Sequence, residues 1–176
     1  MPVPIAPTAA VAGQAARAGV QFNNLAAQVA FLLDPPFAFA FQSVAQSIPN
    51  GTPTPITMDQ ELVDTDNVHS LTVNTSRLTI VTAGRYRVVG QVAWTNNATG
   101  FRGVRLNKNG NLTSISRVSV ATGVGNYMQV YDEILCAVGD YIELVGEQNS
   151  GAALTTAAAG ADPSQTFIKS RWAGIS

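Results

Sequence analysis

Apolar and polar residues alternate with a period of two through most of this chain, most clearly in residues 85–95. Tyr86, Val88, Gly90, Val92 and Trp94 fall on one face, and Arg85, Arg87, Gln91 and Thr95 fall on the other. That pattern predicts a half-buried strand. Residues 96–100 are small and polar and predict a loop, after which residues 101–108 return as the second strand of a central hairpin. Asn109-Gly110 predicts a tight turn, because both residues tolerate positive φ.

The same alternation recurs on either side. Phe37, Phe39 and Phe41 alternate with Ala38, Ala40 and Gln42. Residues 47–55 are rich in Pro, Gly and Asn and predict a turn, with Pro53 and Pro55 confined to an edge or loop. Short extended pieces are predicted at residues 56–60, 71–73 and 77–81, with a polar loop at 64–67. Longer strands are predicted at 112–121, 127–138, 141–148 and 165–173, and Gly139-Asp140 connects the second of these to the third. About nine strands with regular turn signals predict an all-β, antiparallel sandwich or closed barrel over residues 37–176.

The first 36 residues follow a different rule. Residues 1–10 hold three prolines and predict an extended arm. From residue 11 to 33 the apolar positions are Val11, Ala15, Ala18, Phe22, Leu25, Val29 and Leu32. Their steps alternate four and three, the spacing of a coiled-coil seam. Gly13 and Gly19 each weaken such a helix by about 1 kcal/mol relative to Ala. Two arrangements are consistent with the pattern: a helix paired with copies of itself, or one packed on its own domain. Asp34-Pro35-Pro36 ends the helix in either case.

Composition narrows the function. The net charge of -1 offers no electrostatic case for nucleic acid or an anionic membrane. Charged residues are 12% of the chain, about half the usual share, which favours association or burial in an assembly. Within residues 1–57 only Arg17 and Asp34 are charged. A solvated arm carries more charge than that, so the arm is expected to be held against a partner. The amino terminus has no basic region of the signal-peptide kind, and the apolar run at 29–33 is too short to span a bilayer.

The candidate chemistry is sparse. Cys136, the only cysteine, alternates with Ile134 and Val138 and predicts a buried small hydrophobe. His69, the only histidine, predicts an exposed loop residue without a nucleophile motif around it. Asp64, Asp66 and Asn67 read as a hydrogen-bonded turn rather than a calcium loop. Asp132 and Glu133 are adjacent, so a strand points them to opposite faces, and Glu143 is expected to face solvent. Arg85, Arg87, Arg102 and Arg105 form the densest basic cluster and predict acidic partners or a subunit contact. No cofactor or metal is expected, and no enzyme activity.

Four short motifs carry a family resemblance. Gly84-Arg85-Tyr86-Arg87-Val88, the hairpin at Asn109-Gly110, the run from Val138-Gly139-Asp140 through Leu144, and Thr166-Phe167 resemble the trimeric jelly-roll heads of the complement and tumour-necrosis-factor superfamily. The resemblance covers residues 37–174. Members of that superfamily act by trimerising rather than by catalysis. The layout as a whole, with an amino-terminal helix, the break Leu32-Leu33-Asp34-Pro35-Pro36 and a jelly-roll head, is similar to short virion proteins of tailed bacteriophages.

The resemblance implies a homotrimeric decoration or head fibre made without an export signal and located in the virion. The alternative it leaves open is a receptor-binding tail-fibre tip. Residues 1–36 would anchor the chain to the capsid through Pro4, Ile5, Val11 and Arg17. The trimer contact is expected at Phe22, Leu25, Val29, Leu32, Phe39, Phe41, Tyr127, Tyr131 and Trp172. Tyr86, Trp94 and Phe167 are expected to fill the interior of the sandwich. Tyr127 and Tyr131 are out of phase with Met128, Val130, Ile134 and Cys136, so they are expected to point outward.

Overall fold

A computed structural model describes residues 9–120, 126–158, 160 and 162–175, without the side chains of residues 9–13, 15 and 16. Pro4 and Ile5, and the side chains of Val11 and Ala15, therefore lie outside the described residues. The chain divides into two compact units, Met1–Pro35 and Pro36–Ser176.

The first unit holds one helix, α1 (Ala9–Leu33). Asp34 N still donates to Ala30 O at 3.0 Å. Pro35 and Pro36 then have no amide to continue the ladder, and the helix stops.

The second unit is an antiparallel jelly-roll sandwich. One sheet has the order β4 (Gln60–Asp64), β1 (Phe37–Phe41), β12 (Phe167–Gly174), β6 (Gly84–Trp94), β9 (Asn126–Cys136). The other has the order β3 (Thr54–Pro55), β10 (Tyr141–Gln148), β7 (Phe101–Lys108), β8 (Asn111–Ser119), with β5 (Arg77–Thr79) also on β10. A third, small ladder joins β2 (Ser47–Ile48) to β11 (Leu154–Thr155). The core lies between the two large sheets. Tyr86, Val88, Val92, Trp94, Val130, Ile134 and Ile168 face Leu78, Val104, Leu106, Ile142 and Leu144 across it.

Turn chemistry sets the local geometry. Asn109 and Gly110 have φ of 52° and 79° and close β7 onto β8 as a two-residue hairpin. Gly84 opens β6 at φ 150°, where a Cβ would lie 2.1 Å from Trp172 Nε1 and 2.7 Å from Gly174 O. Only glycine fits there.

The pairing differs from the alternation pattern in several places. β6 and β7 are not a hairpin. β6 pairs with β12 and β9, while β7 pairs with β10 and β8, so residues 95–100 cross from one sheet to the other. Residues 71–73 bend rather than extend, and the predicted piece at 56–60 is displaced to Gln60–Asp64. β9 ends at Cys136, which leaves Val138 66% exposed while Cys136 is buried.

Three polar residues expected outside are inside, and so is Arg102, which was expected beside an acidic group or at a subunit contact. Gln91 is buried because its amide donates to Ser164 O and Gln165 O. Glu143 is buried against Ser76 Oγ at 2.9 Å and Arg77 Nε at 3.2 Å. His69 is buried, with Nδ1 2.7 Å from Glu61 Oε1 and Nε2 3.0 Å from Thr75 O. Arg102 is fully buried and has no carboxylate. Its guanidinium donates to the carbonyls of Asn97, Thr99 and Phe101 at 2.8–3.0 Å. A buried donor or acceptor is tolerated where it is paired, and the partners here come from segments that alternation cannot see.

Candidate interaction surface

The functional geometry begins in β1. Ala38 and Ala40 point into the core, so the three phenylalanines of that strand point out of the sandwich. The register then builds rows across the outer face. Phe39 lies level with Lys169, Val89 and Tyr131, and Phe37 lies level with Arg171, Arg87 and Glu133. Phe39 packs edge-on to Phe167 and Phe41, with centroids 5.6 and 6.4 Å apart. Lys169 Nζ sits 4.1 Å from the Phe39 centroid and 4.6 Å from that of Phe167. Such cation–π contacts hold a cation on an apolar face without a carboxylate.

Tyr127, Tyr131 and Leu135 of β9 are 58%, 54% and 51% exposed. Arg87 Nε meets Glu133 Oε1 at 2.8 Å, and Tyr131 Oη donates to the same oxygen at 3.1 Å. Those bonds hold the Glu133 carboxyl below the usual carboxylate range, the Arg87 contact being the largest cause.

Of the sheet residues expected at a subunit contact, Phe39, Tyr127 and Tyr131 are open on this face. Phe41 is only 4% exposed. Trp172 is level with core-facing Tyr86, packs against the core and donates Nε1 to Ala83 O, so it lies on the other side of the sheet. Phe167 belongs to the outer aromatic cluster rather than to the sandwich interior. On α1, Phe22, Leu25, Val29 and Leu32 are 72%, 56%, 45% and 67% exposed, and Arg17 is exposed too. Within its own unit nothing among the described residues covers the seam.

The arginines of the predicted basic cluster take separate roles. Arg87 pairs with Glu133, whereas Arg105, together with Arg117, holds buried Glu147 on the other sheet. Burial pushes the Glu147 carboxyl up, but hydrogen bonds from Arg117 and Arg105 outweigh it and leave it below the ordinary range. Arg85 is exposed on the outer face of β6, and Arg102 is the clamp described above.

The remaining polar groups serve the frame. An open cleft of about 390 Å³ at the foot of β9 is lined by Lys108, Leu135, Cys136, Asp140 and Ile175, among others. Lys108 Nζ is held by Asp140 Oδ2 and Leu135 O, both at 2.7 Å. Burial pushes the Cys136 thiol up to about 11, which keeps it protonated and a poor nucleophile at neutral pH. Among the described residues no three His, Cys, Asp or Glu side chains group as metal ligands.

Asp140 makes a prediction of its own. Lys108, then Asn109 Nδ2 and the Ala137 amide, hold its carboxyl down at about 2. A depressed carboxylate contributes stability above its ordinary value near 3.8, lost as pH falls toward 2. Carboxyl-carbon NMR should find the Asp140 midpoint near 2 in the native chain, and Lys108→Met should move it up toward the ordinary value. An unmoved midpoint would show that the ammonium is not the cause.

No family model and no curated protein matches the sequence. Solved structures do match the fold. The globular domain of zebrafish complement 1qA protein is 13% identical with a TM-score of 0.58, over 80% of this chain and 99% of that one. Murine APRIL at pH 5.0 is 13% identical with a TM-score of 0.62, over 78% and 98%. Eiger TNF from S. frugiperda is 11% identical with a TM-score of 0.61, over 80% and 95%. At such identities the likeness is one of fold.

Proposed function

We propose that this chain is a non-enzymatic structural protein of a tailed-bacteriophage virion, a homotrimeric decoration or head fibre held to the capsid by residues 1–36. The observation that carries the reading is the apolar seam of α1, which nothing in its own unit covers. Phe22, Leu25, Val29 and Leu32 stand exposed at heptad spacing on a helix whose only charged residue is Arg17. A helix with this little charge needs another surface to lie against, and identical helices at the same spacing supply one. The complement- and TNF-like sandwich supports the reading, because trimerisation is what that resemblance implies. The open aromatic face of the first sheet gives such an assembly a second contact.

Light scattering on the full-length chain is expected to give three times 18.4 kDa. A chain lacking residues 1–36 is expected to keep the far-ultraviolet signature of the sandwich and to lose binding to capsids. Undiminished capsid binding by the shortened chain would remove the anchor assignment.

A further inference from the structure

The outer face of the second sheet carries a positive charge that no acid among the described residues matches. Val104, Leu106, Ile142 and Leu144 face the core, so Phe101, Gly103, Arg105 and Asn107 of β7, with Glu143, Val145 and Glu147 of β10, face away from it. Glu147, Gly103 and Arg117 form one row across three strands, and Arg105 lies in the next outward-facing row. A Cβ on Gly103 would lie 2.6 Å from Glu147 Cγ and 3.1 Å from Arg117 Cγ, so the glycine lets those two side chains meet over the strand. Both guanidiniums converge on the one carboxylate. Arg117 Nε meets Glu147 Oε1, while Arg105 Nη2, and Arg117 Nη2 at 3.1 Å, meet Oε2.

One carboxylate balances one guanidinium, and the second keeps its charge. Glu143, the other acid of this face, is taken by Arg77 at 3.2 Å. The adjoining loops, residues 95–100 and 149–153, contain no Asp or Glu. The Arg117 side chain is 50% exposed and that of Arg105 only 19%, so water screens the two unequally. Unmet hydrogen-bonding capacity lies in the same place. Arg105 Nε is buried without an acceptor and Asn107 Oδ1 without a donor among the described residues, two positions apart on one face of β7. Phe101 is half-buried, with Arg117 Cζ 5.3 Å from its ring centroid and exposed Ser119 opposite it on β8.

We propose that this face binds a carboxylate-bearing saccharide, whose carboxylate completes the Arg105–Glu147–Arg117 cluster. Glu147 occupies Nε and Nη2 of Arg117 and leaves Nη1 open, on a group whose planar fork matches a carboxylate. Hydroxyls both donate and accept, so a sugar acid suits a stripe that lacks partners of both kinds, where a simple anion meets only the donors. Phe101 adds a ring beside the cations, the mixture of an aromatic wall and a few polar groups that small-ligand sites use. An extended peptide fits less well. β7 and β10 are each paired on both sides, so neither has a free edge to which a strand could add. A chain of net charge -1 does not recruit nucleic acid to this face. The site lies within one sheet of one chain and is independent of the trimer reading.

The test titrates the full-length chain with tetragalacturonic acid by calorimetry at low salt. Saturable binding is expected, weakening as salt rises. The methyl ester of the same oligomer keeps the rings and hydroxyls and loses the charge. It is expected to bind at least about tenfold more weakly, the size of a lost charge-assisted hydrogen bond. Arg117→Gln should weaken binding of the acid by a similar factor, with circular dichroism matching wild type because Arg117 is half-exposed and Arg105 still holds Glu147. Arg85→Gln removes one positive charge from the other sheet and should leave the affinity unchanged. The ester comparison uses wild type alone, so it needs no variant to fold.

No saturable binding at millimolar acid, or equal binding of acid and ester, would overturn the proposal. Unchanged affinity in Arg117→Gln would overturn it as well, by placing the carboxylate elsewhere on the chain. Binding of tetraglutamate as tight as that of the sugar acid would overturn the saccharide in favour of an acidic peptide.

Discussion

Trp94→Ala is expected to lower the stability of the sandwich by about 3–5 kcal/mol, the cost of emptying the space of a buried large aromatic. Trp94 is 1% exposed, at the end of β6 where the two large sheets and the β2–β11 ladder converge. Its ring closes over Gly146, whose hypothetical Cβ would lie 3.2 Å from one ring carbon and 3.0 Å from Ile56 Cδ1. Nothing larger than glycine fits comfortably below the ring, so Trp94→Ala opens a hole into which Gly146 has no side chain to project. The indole Nε1 has no acceptor among the described residues. No hydrogen bond is lost, so packing carries the loss, and removal of a buried N–H without an acceptor offsets part of it. Domains of this size have a total stability of about 5–15 kcal/mol, so the variant should unfold at a much lower denaturant midpoint with an unchanged slope. A loss below about 1 kcal/mol would mean that the sheets collapse onto the site.

Arg102→Ala is expected to be nearly as costly, about 3 kcal/mol, for a different reason. The guanidinium is fully buried with no carboxylate, and burial lowers its pKa. It persists because three carbonyls of the crossover, at Asn97, Thr99 and Phe101, accept its N–H groups. Removing it leaves those carbonyls short of donors at about 1–3 kcal/mol each, partly offset by relief of the buried charge and by water. The loss should be local as well as global. Amide exchange should accelerate at Val120, whose N–H bonds to Gly100 O on the same crossover. Arg102→Met separates the contributions, because it fills similar space and donates nothing. If the Met variant matches wild type in both midpoint and exchange, the clamp contributes packing alone.

These two residues also show how much of the molecule was legible in its sequence. Trp94 falls in the apolar phase of a strand, and its place in the core follows from period two. Arg102 falls in the apolar phase of β7, level with Gln148 on β10. Its charge argues for the surface, and its partners lie in a loop whose path no periodicity describes. Glu143 and Glu147 repeat the lesson, being buried under arginines of β5, β7 and β8 that only sheet order brings near. For the interaction surface, the outward phase of Tyr127 and Tyr131 was readable from the strand alone. The covering of Phe41 and the inward packing of Trp172 were not, because both depend on what lies across the sheet.

What the sequence determined by itself was local: extended backbone over the long alternating runs, the hairpin at Asn109-Gly110 and the stop at Pro35-Pro36. These features are properties of a few consecutive residues, through φ preference, missing amides and side-chain phase. The tertiary structure decided the rest. It placed β6 and β7 in different sheets and turned the alanines of β1 inward and its phenylalanines outward. It also set β12 and β9 on opposite sides of β6. Each of those choices depends on partners many residues away, where register and burial across a sheet outweigh any preference the local sequence expresses.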